Sequence, residues 1–252
     1  MKVALCFYGL VGSKVGKSME KKGDRDEVLE NCYESVKEHI IDKNDVDVFF
    51  HTWDIEFEKK LVEKYNPKLY KVQKQKIFKE VIKGPKDRVQ AHYSRWYSAR
   101  EVNKLKLQYE EENNFRYDLV LSTRFDIFWT IDVLFKDFKK DTIYIPGVRK
   151  GGSNWGWPYS QSSTSIADHW FFGGNTVMDK MSTLYDKMNY YMQHQGCPRG
   201  PHGISNHMLA LHHLKKLDLI DEGKVKTAFH MVKGKANKNK PNDFQLYRSF
   251  FI

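Results

Sequence analysis

Apolar runs alternate along the first half of the chain with segments of helical periodicity. Three segments each contain an apolar stretch rich in β-formers, which is typical of strands buried on both faces: KVALCFY (2–8), DVDVFFHTW (45–53) and YDLVLSTRFD (117–126). Between the first two runs, apolar residues recur at helical spacing on one face: Val28, Leu29, Cys32, Val36 and Ile40. Strand, helix and strand in this order predict a parallel sheet with crossover helices.

The remaining segments of the first half continue this alternation. EFEKKLVEKYN (56–66) predicts a short helix that ends at Asn66-Pro67, with Asp24 or Asp26 near the cap of the helix before it. KLYKVQ (68–73) predicts a third strand, and residues 88–114 predict one long helix or a pair of helices.

The pattern changes after Asp126. DTIYIPG (141–147) predicts a short strand, and residues 148–166 are a long Gly/Ser/Trp-rich loop of the kind used as a lid or binding loop. DHWFFGGN is strand-like, and two amphipathic helices are predicted, one through Val177 to Met188 and one over HGISNHMLALHHLKKL. We therefore expect one α/β domain, residues 1–252, with a Rossmann-type, mostly parallel central sheet flanked by helices. Its halves are 1–126, nucleotide-binding-like, and 127–252, more irregular, with a flexible basic tail loop at 233–243.

The stretch GLVGSKVGKS (9–18) is similar to the phosphate-binding loop of P-loop proteins. The spacing argues against that motif, because three residues separate Gly12 from Gly16 where the motif requires four. The next helix also begins only near Asp24, too late to cap a phosphate with its N-terminus. What remains is a glycine-rich basic loop at the carboxyl end of a strand, where open α/β sheets bind ligands.

Composition restricts the partners. Forty-two Lys and Arg against 32 Asp and Glu give a net charge of +10, which attracts nucleotides, other polyanions or anionic membranes. The positive charges are scattered among acids and no nucleic-acid-binding motif is present, so we predict no nucleic-acid partner. No apolar run approaches the length of a membrane span, and the opening run reads as a strand rather than a signal peptide. Three cysteines without a CxxC pattern fit small core residues in a reducing, cytoplasmic environment.

A charged motif ends the strand YDLVLSTRFD. Arg124 and Asp126 follow a fully apolar run, where charges are costly unless they are paired or bind something. Asp126 can hold a divalent cation, Mn2+ or Mg2+, that bridges two phosphates, and Arg124 can bind phosphate with its planar guanidinium. The alternative is a structural Arg–Asp pair at the end of the strand.

A second set of polar residues ends DVDVFFHTW. Trp53 could stack on a base or sugar, and Thr52 could hydrogen-bond to it. The alternatives are that Trp53 fills the core and that Asp54 caps the following helix, and for Asp54 we favour the cap.

Asp168 follows the long loop and enters an aromatic strand. Facing the loop tryptophans Trp155 and Trp157, its carboxylate suits a general base that deprotonates a sugar hydroxyl, with a pKa raised by partial burial. A capping role is the alternative, and His169 is a competing base.

Further histidines lie towards the C-terminus. His202, His207, His212 and His213 lack zinc-site spacing, so solvated histidines on a helix capped by Ser205 are expected instead. His230 could join Asp126 on a metal, with Lys233 and Lys235 near a diphosphate.

Six segments in their order resemble a known family: ALCFYG, VDVFFHTWD, YSRWYS, YDLVLSTRFD, DHWFFGGNTVMDKM and HGISNHMLALHHL. The chain is similar to small GT-A-type glycosyltransferases from bacterial surface-polysaccharide clusters and large DNA viruses, including the chlorella-virus enzymes that build capsid glycans. The resemblance covers most of the chain and rests on short motifs. It implies a GT-A-like fold whose first half binds a nucleotide-diphosphate sugar and whose second half binds the acceptor.

The resemblance also implies roles for individual residues. The nucleotide-sugar site would include residues of the opening loop, of YSRWYS and of the strand ends: Tyr8, Gly9, Leu10, Lys14, Thr52, Trp53, Ser94, Arg124, Asp126 and Lys233. RFD occupies the place of the usual DxD motif, so Asp126 inherits the metal role, with His230 as a second ligand, while Arg124 stands where the first acid would be. Asp168 inherits the role of acceptor-side base.

The implied reaction is transfer of a sugar from a nucleotide-diphosphate sugar, with UDP-sugars favoured, to a glycan hydroxyl. Direct displacement would invert the anomeric carbon with help from Mn2+ or Mg2+, and retention stays open as the alternative. The reaction would take place in the cytoplasm, or in the host cytoplasm if the chain is viral. Two alternatives stay open: a P-loop-like kinase or sulfotransferase, and a non-catalytic module that binds glycans or nucleic acid.

Overall fold

The computed structural model describes residues 1–12, 24–78, 86–150, 163–193, 197, 204–229 and 243–246. The strands are β1 Lys2–Gly9, β2 Asp45–Thr52, β3 Leu69–Val72, β4 Leu119–Arg124, β5 Ile127–Trp129, β6 Ile143–Ile145, β7 Val148–Lys150, β8 Ser163–Ile166, β9 Trp170–Gly174, β10 Val225–Thr227 and β11 Phe244–Leu246. The α-helices are α1 Arg25–His39, α2 Glu58–Tyr65, α3 Lys86–Glu112, α4 Asn175–Ser182, α5 Leu184–Gln193 and α6 Asn206–Lys216. Short 3-10 helices cover Ile41–Lys43, Ile55–Phe57 and Phe135–Asp137.

Seven strands form the central sheet in the order β3-β2-β1-β4-β9-β6-β10. β1 pairs in parallel with β2 and β4, β2 with β3, and β6 with β10. β9 is antiparallel to both of its neighbours, β4 and β6. The predicted α/β class with a mostly parallel, helix-flanked sheet is confirmed. The reversal at β9 was not predicted, because an apolar run does not reveal the direction in which a strand will pair.

Both faces of the sheet are covered, so the strands are apolar on both sides. On β1, Ala4, Cys6 and Tyr8 face the core that α3 to α6 complete, whereas Val3, Leu5 and Phe7 face the core that α1 and α2 complete. This alternation explains why β1 reads as a continuous apolar run rather than as a period-two pattern. Cys6, Cys32 and Cys197 are buried free thiols, as predicted for small core residues.

The helices predicted in the first half are present, and the predicted residues begin α1 and end α2. Asp24 caps α1, since its carboxylate accepts the N–H of Asp26 at 2.8 Å. α2 ends at Tyr65, with Asn66 in the left-handed region (φ 41°) before Pro67. Residues 86–112 form one long helix rather than a pair.

The single helix predicted through Val177 to Met188 is wrong, because two helices, α4 and α5, meet at Thr183. The hydroxyl of Ser182 donates to the Asp179 carbonyl at 2.7 Å, and that of Thr183 donates to the Lys180 carbonyl at 2.8 Å. Side chains that bond back to the preceding turn compete with the regular helical ladder. The helical ladder is therefore interrupted between two stretches of the same amphipathic pattern.

Two pairs of strands in the second half lie outside the central sheet. The ends of the predicted loop 148–166 pair as an antiparallel hairpin, β7 with β8, while Trp155 and Trp157 lie outside the described residues. β5 and β11 form a second two-stranded sheet. Within the ranges given above, none of the helices combines the length and the apolar character needed to span a bilayer.

Candidate functional site

The sheet topology puts a switch point at the carboxyl ends of β1 and β4, and we call this region the crevice. The chain leaves these two adjacent strands towards opposite edges, because β1 leads to β2 and β4 leads towards β9. Open α/β sheets bind ligands outside the strand ends at such a switch point. Tyr8 lies opposite Arg124 in the β1–β4 ladder, and Trp170 begins β9 opposite Thr123.

The end of β1 is held to α3 by Ser98. Gly9 adopts φ 98°, a conformation that favours glycine, and its N–H donates to the Ser98 hydroxyl oxygen at 2.9 Å. Nδ1 of His51 lies 2.7 Å from the same oxygen. The Gly9 carbonyl accepts from the Thr52 hydroxyl at 2.8 Å. Ser98 thus joins the ends of β1 and β2 to one position of α3, a role that no local sequence signal indicates.

Three residues predicted to bind the donor make interior contacts. Thr52 is fully buried, and Trp53 stacks on Tyr97 with ring centroids 5.4 Å apart. Ser94 is buried and accepts from Nε2 of Gln75 at 3.0 Å. The contacts of Trp53 match the core-filling alternative, since the protein itself covers the ring.

Asp54 does not cap the following helix with its side chain, so the favoured prediction for it is wrong. Oδ2 of Asp54 instead accepts the N–H of Val11 at 2.7 Å, and Oδ1 pairs with Nη2 of Arg25 at 2.6 Å. Nε of Arg25 also donates to the Val11 carbonyl at 2.9 Å. These bonds fix the first residues after β1, including half-buried Leu10, whereas Lys14 lies outside the described residues.

Arg124 and Asp126 pair with each other at the end of β4. Nη2 of Arg124 donates to Oδ2 of Asp126, whose side chain is only 1% exposed. Burial would lower the pKa of Arg124, but the Asp126 carboxylate raises it above its ordinary value. The Arg124 side chain is 19% exposed, and among the described residues only Asp126 bonds to it. Its other N–H groups can therefore donate hydrogen bonds to a bound anion.

The described residues do not fit a divalent cation at Asp126. A guanidinium already occupies one carboxylate oxygen of Asp126 and brings a like charge to the position of the cation. Within the described ranges, no group of three or more His, Cys, Asp or Glu side chains could hold a metal. The proposed second ligand His230, and Lys233 beside it, lie outside those ranges.

Arg95, on α3, connects the crevice to Asp168. Nη2 of Arg95 donates to the Tyr8 hydroxyl at 2.7 Å and to the Asp168 carbonyl, and Nη1 lies 3.0 Å from Oδ2 of Asp168. Burial raises the pKa of the Tyr8 hydroxyl, while the charges of Arg95 and Arg124 oppose that rise. These four residues therefore share one electrostatic environment.

The second oxygen of Asp168 faces His207, in the first turn of α6. Oδ1 of Asp168 lies 2.9 Å from Nδ1 of His207, and the Ile166 carbonyl lies 3.1 Å from the same nitrogen. The His207 side chain is 32% exposed, whereas that of Asp168 is 7% exposed. The imidazole thus stands between a buried carboxylate and the surface.

The expected rise in the pKa of Asp168 is wrong. Burial does act to raise this pKa, but the Arg95 guanidinium and His207 hold it well below its usual range. Asp168 is therefore an ionised partner of two neighbouring side chains, and a proton acceptor in its position is weak.

Desolvation keeps the other histidines of this region neutral, with His212 and His213 buried in the core and His169 half-buried. Burial lowers the pKa of His169 to about 3 and that of His213 to about 4. His213 is bonded to the Tyr191 hydroxyl at 2.9 Å, and His212 is buried against the Tyr191 ring. The prediction of solvated histidines is therefore wrong for His212 and His213.

The N-terminus of α6 is positioned by α3. The Ser205 hydroxyl caps α6 by accepting the N–H of Met208 at 3.3 Å, as predicted. Nε1 of Trp96 donates to Asn206 at 3.0 Å, and Nε2 of His92 bonds the Ile204 carbonyl at 2.9 Å. Both contacts come from the turns of α3 that carry Arg95, so one helix sets the distance between Arg95 and His207.

We call the following set the rim cluster: Tyr8, Arg95, Arg124, Asp126, Asp168, His169 and His207. Sequence reasoning selected Tyr8, Arg124, Asp126 and Asp168, and treated His169 as a competing base. It passed over Arg95, although neighbouring Ser94 was selected, and assigned His207 to solvent. The signal for Arg95 was an arginine within the aromatic-rich helical segment YSRWYS, because an arginine is rarely buried unless it is paired.

Comparison with known proteins adds no assignment. No protein-family model matches the chain, and no curated protein matches it. The same α/β architecture serves many activities, so a function must be inferred from the rim cluster rather than from the fold.

Proposed function

We propose that the protein is a glycosyltransferase that moves a sugar from a nucleotide-diphosphate sugar to a hydroxyl group of a glycan. The observation that carries this proposal is Arg124, a partly exposed guanidinium at the switch point of the sheet, whose donors the described residues use only in the bond to Asp126. A diphosphate suits such a group because guanidinium donors match the spacing of phosphate oxygens. The resemblance of the chain's motifs to GT-A-type enzymes points to the same class.

The rim cluster offers the groups that a direct displacement needs. The acceptor oxygen attacks the anomeric carbon, a new C–O bond forms, and the bond between that carbon and the diphosphate oxygen breaks. The electron pair leaves with the nucleoside diphosphate, whose charge Arg124 neutralises. The acceptor's proton passes to a base of the rim cluster. A single displacement of this kind inverts the anomeric carbon.

Arg124 replaces part of the charge that a divalent cation would supply. This assignment follows from the Arg124–Asp126 pair, which leaves Asp126 poorly suited to bind Mn2+ or Mg2+. The basic character of the whole chain, with a net charge of +10, adds long-range attraction for the anionic donor.

A thermal-shift panel of UDP-, GDP-, CDP- and dTDP-sugars tests the proposal. At a concentration 100 times the Kd, one donor should add about 2.7 kcal/mol of stability. For a chain of this size that corresponds to a rise in Tm on the order of 5–10 °C. Arg124→Ala should abolish the rise, whereas Arg100→Ala should keep it. Arg100 is the matched control because it is equally exposed, at 19%, and pairs with Asp186 away from the crevice.

Two results of the thermal-shift panel would count against parts of the proposal. No shift with any donor, or an equal shift in Arg124→Ala, would contradict the proposal. Stabilisation that requires added Mn2+ would show that residues beyond the described ranges complete a metal site, and Arg124 would then not replace the cation.

The structure gives a reason to place the P-loop alternative second. The N-terminus of α1 is capped by the Asp24 carboxylate and carries Asp26 and Glu27 in its first turn. These negative charges repel a phosphate at the position where a P-loop helix would bind one. A kinase or sulfotransferase of that type would lose nucleotide binding in Lys17→Ala. A non-catalytic module would bind a glycan without cleaving any sugar nucleotide.

A further inference from the structure

We propose that Asp168 and His207 form a carboxylate–imidazole dyad in which His207 is the general base for the acceptor hydroxyl and Asp168 positions it. This inference rests on the proposed function, because the reaction supplies the proton that the imidazole takes. The base is then His207, which the sequence predicted to be a solvated histidine, and not Asp168.

The surroundings of Nδ1 determine which nitrogen of His207 carries the proton. Among the described residues, two oxygen acceptors lie within hydrogen-bond distance of Nδ1, namely Oδ1 of Asp168 at 2.9 Å and the Ile166 carbonyl at 3.1 Å. Two acceptors at one nitrogen require that it bears a hydrogen. In the neutral ring the lone pair therefore resides on Nε2, on the opposite side of the imidazole.

Asp168 is held in the state that this arrangement needs. Its Oδ2 lies 3.0 Å from Nη1 of Arg95, and its backbone carbonyl accepts from Nη2 of the same side chain. A buried carboxylate with a guanidinium on one oxygen stays ionised, so it accepts from His207 with the other oxygen. The negative charge also stabilises the imidazolium that forms when His207 takes a proton.

His207 is also the better placed of the two groups. Its side chain is 32% exposed, so part of the ring is open to solvent, whereas the Asp168 side chain is nearly covered at 7%. His169, whose ring centroid is 6.4 Å from that of His207, is half-buried, and desolvation lowers its pKa to about 3, so its imidazole is a weak proton acceptor. In the transfer, the acceptor's O–H bond breaks, its proton moves to Nε2 of His207, and the oxygen's electron pair forms the bond to the anomeric carbon.

The tautomer of His207 can be measured without any substrate. Long-range 1H–15N correlation spectra of the labelled full-length protein distinguish an imidazole protonated at Nδ1 from one protonated at Nε2, and the spectrum of His207→Gln assigns the signal. We expect neutral His207 in the Nδ1–H form. Asp168→Asn should shift it towards the Nε2–H form. Neutral His207 in the Nε2–H form in the unmodified protein would overturn the proposal, even if Asp168→Asn fails to fold.

The catalytic role is tested with the donor that gives the largest thermal shift, using its slow hydrolysis by water as the reaction. His207→Ala should lower the rate at least 100-fold while the donor-induced rise in Tm stays, and added imidazole should restore part of the rate. His212→Ala is the matched control on the same helix, buried and outside the rim cluster, and should keep the rate. An unchanged rate in His207→Ala, or a loss that imidazole does not restore, would overturn the role as base.

The two proposals fail in different ways. If no sugar nucleotide shifts the Tm or is cleaved, the glycosyltransferase assignment falls, and His207 loses its role as base even if the tautomer is the expected one. If a donor binds and is cleaved while His207→Ala retains activity, only the dyad falls.

Discussion

Single residues in this protein carry buried charge in two different ways. In the rim cluster, Arg124 is partly exposed and bonds only to Asp126 among the residues that the structure describes, which suits a ligand. Lys106, on the same helix as Arg95, is fully buried and saturated: Nζ lies 2.7 Å from Asp179 and 3.1 Å from Glu110, and it also donates to Asn175. A saturated charge of this kind holds elements together and has no donor left for a ligand.

Lys106→Met should therefore lower the free energy of unfolding without changing the residues of the crevice. Loss of the ammonium leaves Glu110 buried without its nearest cation, which costs about 3–5 kcal/mol. The control is Lys104→Met, since Lys104 is exposed and lies 3.4 Å from Glu101, a type of pair that contributes less than about 1 kcal/mol. Urea denaturation measures both. Equal stabilities of the two variants would show that Arg116, which also contacts Glu110, compensates fully.

At the scale of elements, α3 and β9 decide the shape of the site. α3 brings Arg95 and Ser98 to the carboxyl ends of the strands and Lys106 to the opposite end of the sheet. β9 runs against β4, so its first residues and the preceding Asp168 lie beside the end of β4 rather than at the far side of the sheet. The reversal of one strand thus places Asp168 in the rim cluster.

β9 fits between its neighbours because its last residues are glycines. A Cβ on Gly174 would lie 1.5 Å from the Lys140 carbonyl oxygen, and one on Gly173 would lie 2.5 Å from that of Thr142. Both obstacles are backbone atoms, so a side chain cannot rotate to relieve the overlap.

Gly174→Ala should accordingly lower the free energy of unfolding by about 3 kcal/mol or more, because the chain around Lys140 must move. Gly223→Ala is the control: a Cβ there meets no atom within 4 Å, and its φ of 67° costs only about 1–2 kcal/mol. Thermal and urea unfolding compare the two. A smaller cost at Gly174 than at Gly223 would contradict the tight approach of β9 to the segment before β6.

For the whole molecule, buried histidines link stability to pH. Burial lowers the pKa of His51 and of His213 to about 4, and that of His169 to about 3, from an ordinary value of 6.5. Between these values the unfolded chain binds protons that the folded protein excludes. Stability is therefore complete above pH 6.5 and is lost as the pH falls through this window.

Urea unfolding at pH 7, 6 and 5 should show this loss. Each histidine contributes up to about 1.4 kcal/mol per pH unit, so His213→Gln should make the dependence less steep by about that amount. The Glu101 carboxylate, partly buried but held by Lys71 at a pKa of about 2, loses its contribution only below its ordinary value of 4.5. Between pH 4.5 and pH 6.5 the change in stability therefore comes from the histidines rather than from Glu101. A stability that does not change between pH 7 and pH 5 would contradict this prediction.

Short-range patterns in the sequence were sufficient to predict the first half of the fold. Apolar runs identified β1, β2 and β4, and local polar residues identified the caps Asp24 and Ser205, because periodicity and capping depend on residues within a few positions of one another. The same locality accounts for the polar strand ends, including Arg124 and Asp126, which were selected as site residues directly from the end of an apolar run.

Only the tertiary structure decided the direction of β9 and the membership of the rim cluster. The Asp54 carboxylate does not cap the following helix because it bonds instead to Val11 and Arg25, which are distant in sequence. Arg95, Asp168 and His207 come from α3, from the residues before β9 and from α6, and no local pattern records that they meet. Whether a histidine is a solvated side chain, a core group or one half of a dyad depends on which oxygen atoms the folded chain places beside its nitrogens.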